Sequence, residues 1–208
     1  MKKILLLCLM SLSLRIYADN ALDKVDITFE ELAALTQLKE SFVTDDWNDP
    51  KQWKALSENK TVLGAFEKYC AAGDKEACVM TKQVEIMPKL ATISQKLQAG
   101  DASQISSVLS LFEQFCEIGN GYFCYLIAQI YRDDPVNGAK VYIKKDAGKA
   151  AYFFEKACNS EIESDNLVAI TACRDLGDMY QKGMGVPKDT QKADVFYKKA
   201  LQLEENAE

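Results

Sequence analysis

Seven cysteines and no histidine set the limits on the chemistry open to this 208-residue chain. Without imidazole there is no Ser-His-Asp or Cys-His arrangement and no zinc site built on histidine. No phosphate-binding Walker loop or dinucleotide fingerprint occurs, so neither cofactor nor metal is expected. The cysteines form no Cys-x-x-Cys pair of the kind a thiol-redox centre uses. Cys8 lies apart; the others are Cys70, Cys78, Cys116, Cys124, Cys158 and Cys173. In KYCAAGDKEAC and QFCEIGNGYFC, cysteines eight residues apart flank a glycine turn between a helix end and a helix start. Two terminal turns lying side by side bring α-carbons within disulfide reach. Cys158 and Cys173 make the third pair, across a loop seven residues longer. Acid-base work would fall to carboxylates such as Glu113, Glu155, Asp175 and Asp178, yet acidic residues on helices are more often a solvated face than a dyad. Glu67, Glu113 and Glu155 recur at a fixed distance before a cysteine, which points to architecture. The catalytic assignment stays open, since no nucleophile or general base stands out.

The elements that would carry these groups are clearest from Thr171 to Leu201. Cys173, Leu176, Met179 and Tyr180 fall three and four apart, the spacing of one helix face. Gly177 lies in that face and lets another helix backbone come close. Gly183 and Gly185 end the helix, Val186 and Pro187 reverse the chain, and Asp189 caps a return helix whose inward stripe is Ala193, Phe196, Tyr197 and Ala200. An αα-hairpin of this kind cannot bury both apolar faces alone, so copies are required. Phe66, Phe112, Phe154 and Phe196 recur at 46, 42 and 42 residues. A second cysteine follows each of the first three: Cys78, Cys124 and Cys173. Tyr131 follows Cys124 as Tyr180 follows Cys173, and Ala128 takes the place of Gly177. Lys149-Ala150 and Lys192-Ala193 each begin three residues after an aspartate.

The Leu-Gly-x-x-Tyr run, the Gly-x-Gly-Val turn, the Asp-x-x-Lys-Ala start and the closing Lys-Ala resemble a Sel1-like repeat, a relative of the tetratricopeptide repeat. With paired cysteines at the hairpin junctions and an export signal, the chain resembles the Helicobacter cysteine-rich protein family. That resemblance implies an all-α fold, an αα-hairpin solenoid stapled by disulfides over residues 61–208, with its best repeats at about 124–158 and 173–204. It also implies a module that binds a protein or peptide partner, for which Tyr122, Tyr125, Tyr131 and Tyr152 are candidate contacts. The alternative it implies is a penicillin-binding protein or slow β-lactamase acting on a β-lactam or cell-wall-like ligand. Ser57-Glu58-Asn59-Lys60 fits Ser-x-x-Lys and Ser164-Asp165-Asn166 fits Ser-Asp-Asn, but the Lys-Thr-Gly element of such enzymes is missing. Ser57 is therefore read as starting a helix and Ser164 to Asn166 as a cap.

At the start, Lys2 and Lys3 precede the apolar run Ile4 to Leu14 and a small residue, Ala18. Residues 1–18 read as a secretory signal peptide, so the protein is expected to be exported, periplasmic or secreted. Cys8 lies within the apolar run and lacks the small residues that precede a lipidated cysteine. Its removal leaves six cysteines, an even number that suits disulfides in an oxidising compartment. The chain's net charge of −6 argues against nucleic acid as a partner. No later stretch is long enough to enter a membrane. Residues 19–60 form a capping segment: Thr28 with Glu31 makes a capping box, and Phe29, Leu32, Leu35, Leu38 and Phe42 form an apolar face. Trp47 and Trp53 are read as covering the open end of the solenoid rather than as a recognition surface. Pro88 is expected to kink or divide the helical run from Glu76 to Ala99.

Overall fold

The computed structural model describes residues 50–132, 144–161 and 166–206, with Thr28, Glu30, Glu31, Ala33 and Ala34. The regular elements among the described residues are helical: α1 (Pro50–Glu58), α2 (Lys60–Ala71), α3 (Lys75–Gln98), a 3-10 turn (Ala102–Gln104), α4 (Ile105–Glu117), α5 (Gly121–Arg132), α6 (Ala147–Cys158), α7 (Asn166–Lys182) and α8 (Thr190–Glu205). They group into two compact units, one ending at Val108 and one beginning at Leu109. The signal region, Cys8, Trp47 and the apolar positions from Phe29 to Phe42 lie outside the described residues, as do Ser164 and Asp165.

In the first unit, α1 and α2 pack on α3 around the buried side chains of Trp53, Phe66, Val62 and Val84. Trp53 is 0% exposed, so it serves the core and cannot read a partner. Upstream, the capping box is made as its residue types require: Thr28 N–H donates to Glu31 Oε2 at 2.8 Å, and Glu31 N–H donates to Thr28 Oγ1 at 3.2 Å. Glu31 then pairs with Lys68 of α2 at 2.8 Å, and that ammonium, first among several hydrogen-bonding partners, holds its carboxyl below the usual range. Pro88 does not divide the long run: α3 continues through it as one helix. The proline cannot supply its own N–H to the preceding turn. The turns on either side, anchored by buried Val84, Met87, Leu90 and Ala91, hold the element together.

The same glycine turn follows a cysteine once in each unit. After Cys70, Gly73 donates its N–H to the Cys70 carbonyl and Asp74 donates to Tyr69; after Cys116, Gly119 and Asn120 do the same to Cys116 and Phe115, all at 3.0 Å. Gly73 and Gly119 take φ of 94° and 100°, left-handed backbone that glycine reaches at little cost. Asp74 and Asn120 then cap the next helix through their side chains, accepting from Ala77 and Phe123. Because the chain reverses in the same way each time, disulfides close Cys70 to Cys78 and Cys116 to Cys124, with α-carbons 4.6 and 4.7 Å apart. Cys158 and Cys173 are bonded across the longer loop at 4.7 Å.

The second unit stacks two hairpins, α5–α6 and α7–α8, over a core of Ile127, Ala128, Phe154, Ala157, Leu176 and Met179, with Cys158–Cys173 inside it. Matching hydrogen bonds show the repetition: Asp146 N–H donates to the Tyr131 carbonyl and Asp189 N–H to the Tyr180 carbonyl, each at 2.9 Å. The side chains of the same aspartates cap α6 and α8 by accepting from Lys149 and Lys192.

These bonds correct the phenylalanine phase. Asp146 and Asp189 are 43 residues apart, so Phe196 corresponds to Phe153, and Tyr197 to Phe154. The rings agree, since Tyr131 stacks on Phe153 and Tyr180 on Phe196. A second correction concerns Gly177. A Cβ there would lie 2.6 Å from Tyr197 Cε1, so the space is taken by an aromatic ring rather than by helix backbone. Among the other repeat positions, Leu176, Ala193 and Ala200 are buried and Gly183 has a φ of 71°. Gly185, at a φ of 72°, sits so close to α6 that an added Cβ would meet the Ala147 carbonyl carbon at 2.2 Å. The α7–α8 turn is thereby seated on the start of α6.

Candidate interaction face on the first helices of the stacked hairpins

The first helices of the two hairpins, α5 and α7, lie next to one another and share a polar cluster. Arg132, in the last turn of α5, reaches Asp175 Oδ1 of α7 at 3.0 Å. Its guanidinium also lies 4.9 Å from the centroid of the Phe154 ring, a cation–π arrangement. Both partners of the ion pair are about three-quarters buried, at 24% and 25% side-chain exposure, so screening by solvent is reduced. Asp175 Oδ2 is buried and has no hydrogen-bond partner among the described residues. Tyr125, about two α-helical turns before Arg132, accepts from Gln129 at 2.7 Å. Burial pushes the Tyr125 hydroxyl pKa up, and the Asp175 carboxylate adds to that rise.

One turn further along α7, Asp178 accepts from Lys182 and from the Tyr197 hydroxyl of α8, both at 2.7 Å. The Lys182 ammonium and then the tyrosine hydroxyl hold the Asp178 carboxyl below its usual range. The same bond, with burial behind it, pushes Tyr197 up to about 12, because ionising the phenol would destroy the donor. Asp175 and Asp178 are therefore not a freely solvated acidic face. They are committed to cations and hydroxyls that join α5, α7 and α8.

Arg132, Gln129 and Asp175 were not singled out as a group by sequence spacing. A signal exists in the repeat alignment: Arg132 corresponds to Gln181, and Asp175 to Leu126. Where one copy carries charge and the other does not, the residue is not required by the architecture. Of the tyrosines, Tyr125 belongs to the cluster. Tyr131 is core at 8% exposure, Tyr122 is largely buried, and Tyr152 stands exposed with Lys156 over its ring.

The cluster contains no nucleophile beside a base. Ser57 does not start a helix: it sits in the last turn of α1 and its hydroxyl donates to the Lys54 carbonyl at 2.7 Å. Asn59 caps the next helix, so Ser57 and Lys60 fall on different helices and lack the one-face geometry of an i, i+3 pair. A β-lactamase reading is not favoured. Among the described residues no group of three or more His, Cys, Asp or Glu could hold a metal, and no helix is long and apolar enough to cross a membrane.

A family model described as the Sel1 repeat matches residues 136–161 and 170–204. No curated protein matches the chain. Among solved structures, Helicobacter pylori cysteine rich protein B is similar at 25% identity and a TM-score of 0.37, covering 69% of this chain and 92% of that one. The two matched segments coincide with α6 and with the α7–α8 hairpin, whose caps, turn and aromatic stacking repeat as described, so this part of the chain consists of Sel1-like repeats.

Proposed function

We propose that this Sel1-like repeat protein is an exported interaction module that binds a peptide segment of a protein partner across the first helices of its last two hairpins. The observation that carries the reading is the Arg132–Asp175 pair. It bridges the first helices of two consecutive hairpins, and it is not demanded by the repeat. Solenoids of helical hairpins use side chains of this kind, displayed on successive repeats, to hold extended ligands. Tyr125, in the same cluster, offers rigid aromatic area with a polar tip. Export is supported by the short apolar N-terminal run behind Lys2 and Lys3, and by three disulfides, which persist in oxidising compartments.

The test is selection of displayed random peptides on the oxidised protein, followed by affinity measurement with Arg132→Ala and Asp175→Asn. Enriched peptides should bind on the order of tenfold more weakly to either variant, in the range expected for a central interface residue. No enrichment, or binding unchanged in both folded variants, would overturn the reading. Fractionation of cells expressing the full chain tests export separately: cytoplasmic retention with free thiols would refute it.

A further inference from the structure

The edge of the second unit where α6 and α8 begin carries a charge opposite to that of the whole protein. Residues 144–149 and 182–192 hold six lysines against two aspartates, in a chain whose net charge is −6. The two stretches meet because Gly185 of the α7–α8 turn is seated on Ala147, with its carbonyl 3.6 Å from the Cβ position of Gly148. Lys144, Lys149, Lys188 and Lys192 are all exposed along this edge. Two of them occupy equivalent places in successive repeats and are held in the same way. Lys149 Nζ lies 4.9 Å from the Tyr131 ring centroid, and Lys192 Nζ lies 5.2 Å from that of Tyr180. An ammonium resting on an aromatic ring keeps its charge while giving up part of its freedom, which lowers the ordering cost of receiving an anion.

Among the described residues, three aspartates at this edge already have partners. Asp146 and Asp189 accept from the first turns of α6 and α8, and Asp178 is bonded to Lys182. Both helices also point their positive ends here. Asp194, one turn into α8, is the exposed carboxylate nearest in sequence to Lys192.

We infer that this lysine edge is a second docking surface, for an acidic peptide segment of a protein partner. The charge pattern selects that occupant over a larger polyanion. An extended anionic surface or nucleic acid meets the field of the whole acidic molecule, whereas a short segment meets only charges within a screening length of roughly 8 to 10 Å. This surface is distinct from the Arg132–Asp175 face and does not depend on it.

The experiment titrates a fluorescent ten-glutamate peptide, anionic phospholipid vesicles and a single-stranded RNA of similar charge into the oxidised full-length protein at low and at physiological salt. The expected result is salt-sensitive peptide binding that weakens on the order of tenfold in the Lys149→Glu/Lys192→Glu double variant. Lys149→Arg/Lys192→Arg should bind as the parent does. Lys82→Glu/Lys89→Glu, which reverses two exposed lysines of α3, makes the same change in net charge and should leave binding within about twofold. Equal losses in the two reversed pairs would overturn the proposal in favour of diffuse electrostatics. Tighter binding of vesicles or RNA than of peptide would overturn it in favour of those partners, and absence of peptide binding at low salt would overturn it outright. Unchanged helicity by circular dichroism keeps a loss of binding from being a loss of fold.

Discussion

Gly177→Ala should destabilise the protein, and the loss should depend on a hydroxyl in another helix. In isolation the change favours a helix by about 1 kcal/mol, because alanine loses less backbone freedom than glycine. Here the new methyl would lie 2.6, 2.8 and 3.0 Å from three carbons of the Tyr197 ring, which must retreat by a substantial fraction of an ångström. The ring is not free to do so, since its hydroxyl is bonded to Asp178 at 2.7 Å and Asp178 is bonded to Lys182. Overpacking of this kind costs about 1 to 3 kcal/mol, so the net loss is about 0 to 2 kcal/mol with a centre near 1. For a chain of this size that corresponds to a fall in Tm of roughly 2 to 4 °C, read by circular dichroism with disulfides intact. In a Tyr197→Phe background the ring is untethered and can move, as Phe154 accommodates Ala128 in the preceding repeat. There Gly177→Ala should be neutral or stabilising, giving a coupling of about 1 kcal/mol in the double-mutant cycle. A stabilising Gly177→Ala in the parent, or the same loss in both backgrounds, would refute the reasoning.

Gly185→Ala should be the more severe glycine change, at about 3 kcal/mol or more, because it adds left-handed strain to a clash with the α6 backbone; thermal melts check it. Replacing Cys158 and Cys173 together by serine should cost about 3 kcal/mol in urea unfolding, from the loop of 15 residues that the bond closes. The Tyr197 phenol should be among the last to ionise in an ultraviolet titration, near pH 12. Its raised pKa supports the fold fully below the unfolded value near 10 and stops doing so as pH passes through about 12; the lowered pKa of Asp178 supports it above about 4 and is lost on acidification. Tyr197→Phe should remove the alkaline part of that dependence.

Much of the fold was legible because it rests on local rules. Helix periodicity, the glycine turns after Cys70 and Cys116, the aspartate caps at 146 and 189, and cysteines beside those turns all act over a few residues, and the resulting hairpins have few ways to bury their faces. The limits of that reading are equally physical. Phenylalanine recurrence put Phe154 opposite Phe196, although the caps, which set where each return helix begins, place Phe153 there. Pro88 looked like a break, but burial on both sides of it holds α3 as one helix. Ser57 and Lys60 match a motif in one dimension and fall on separate helices in three.

The sequence by itself determined that the chain makes repeated helical hairpins and, at the glycine turns and aspartate caps, where their helices end and begin, since propensity, capping and turn geometry are local. Only the tertiary structure decided which polar residues meet. Arg132 and Asp175 are separated by a whole repeat, as are the Gly185 turn and the start of α6 it is seated on, so these contacts depend on how α5, α6, α7 and α8 stack. The charge of each residue is written in the chain; whether it is paired, buried or set out along an edge follows from packing.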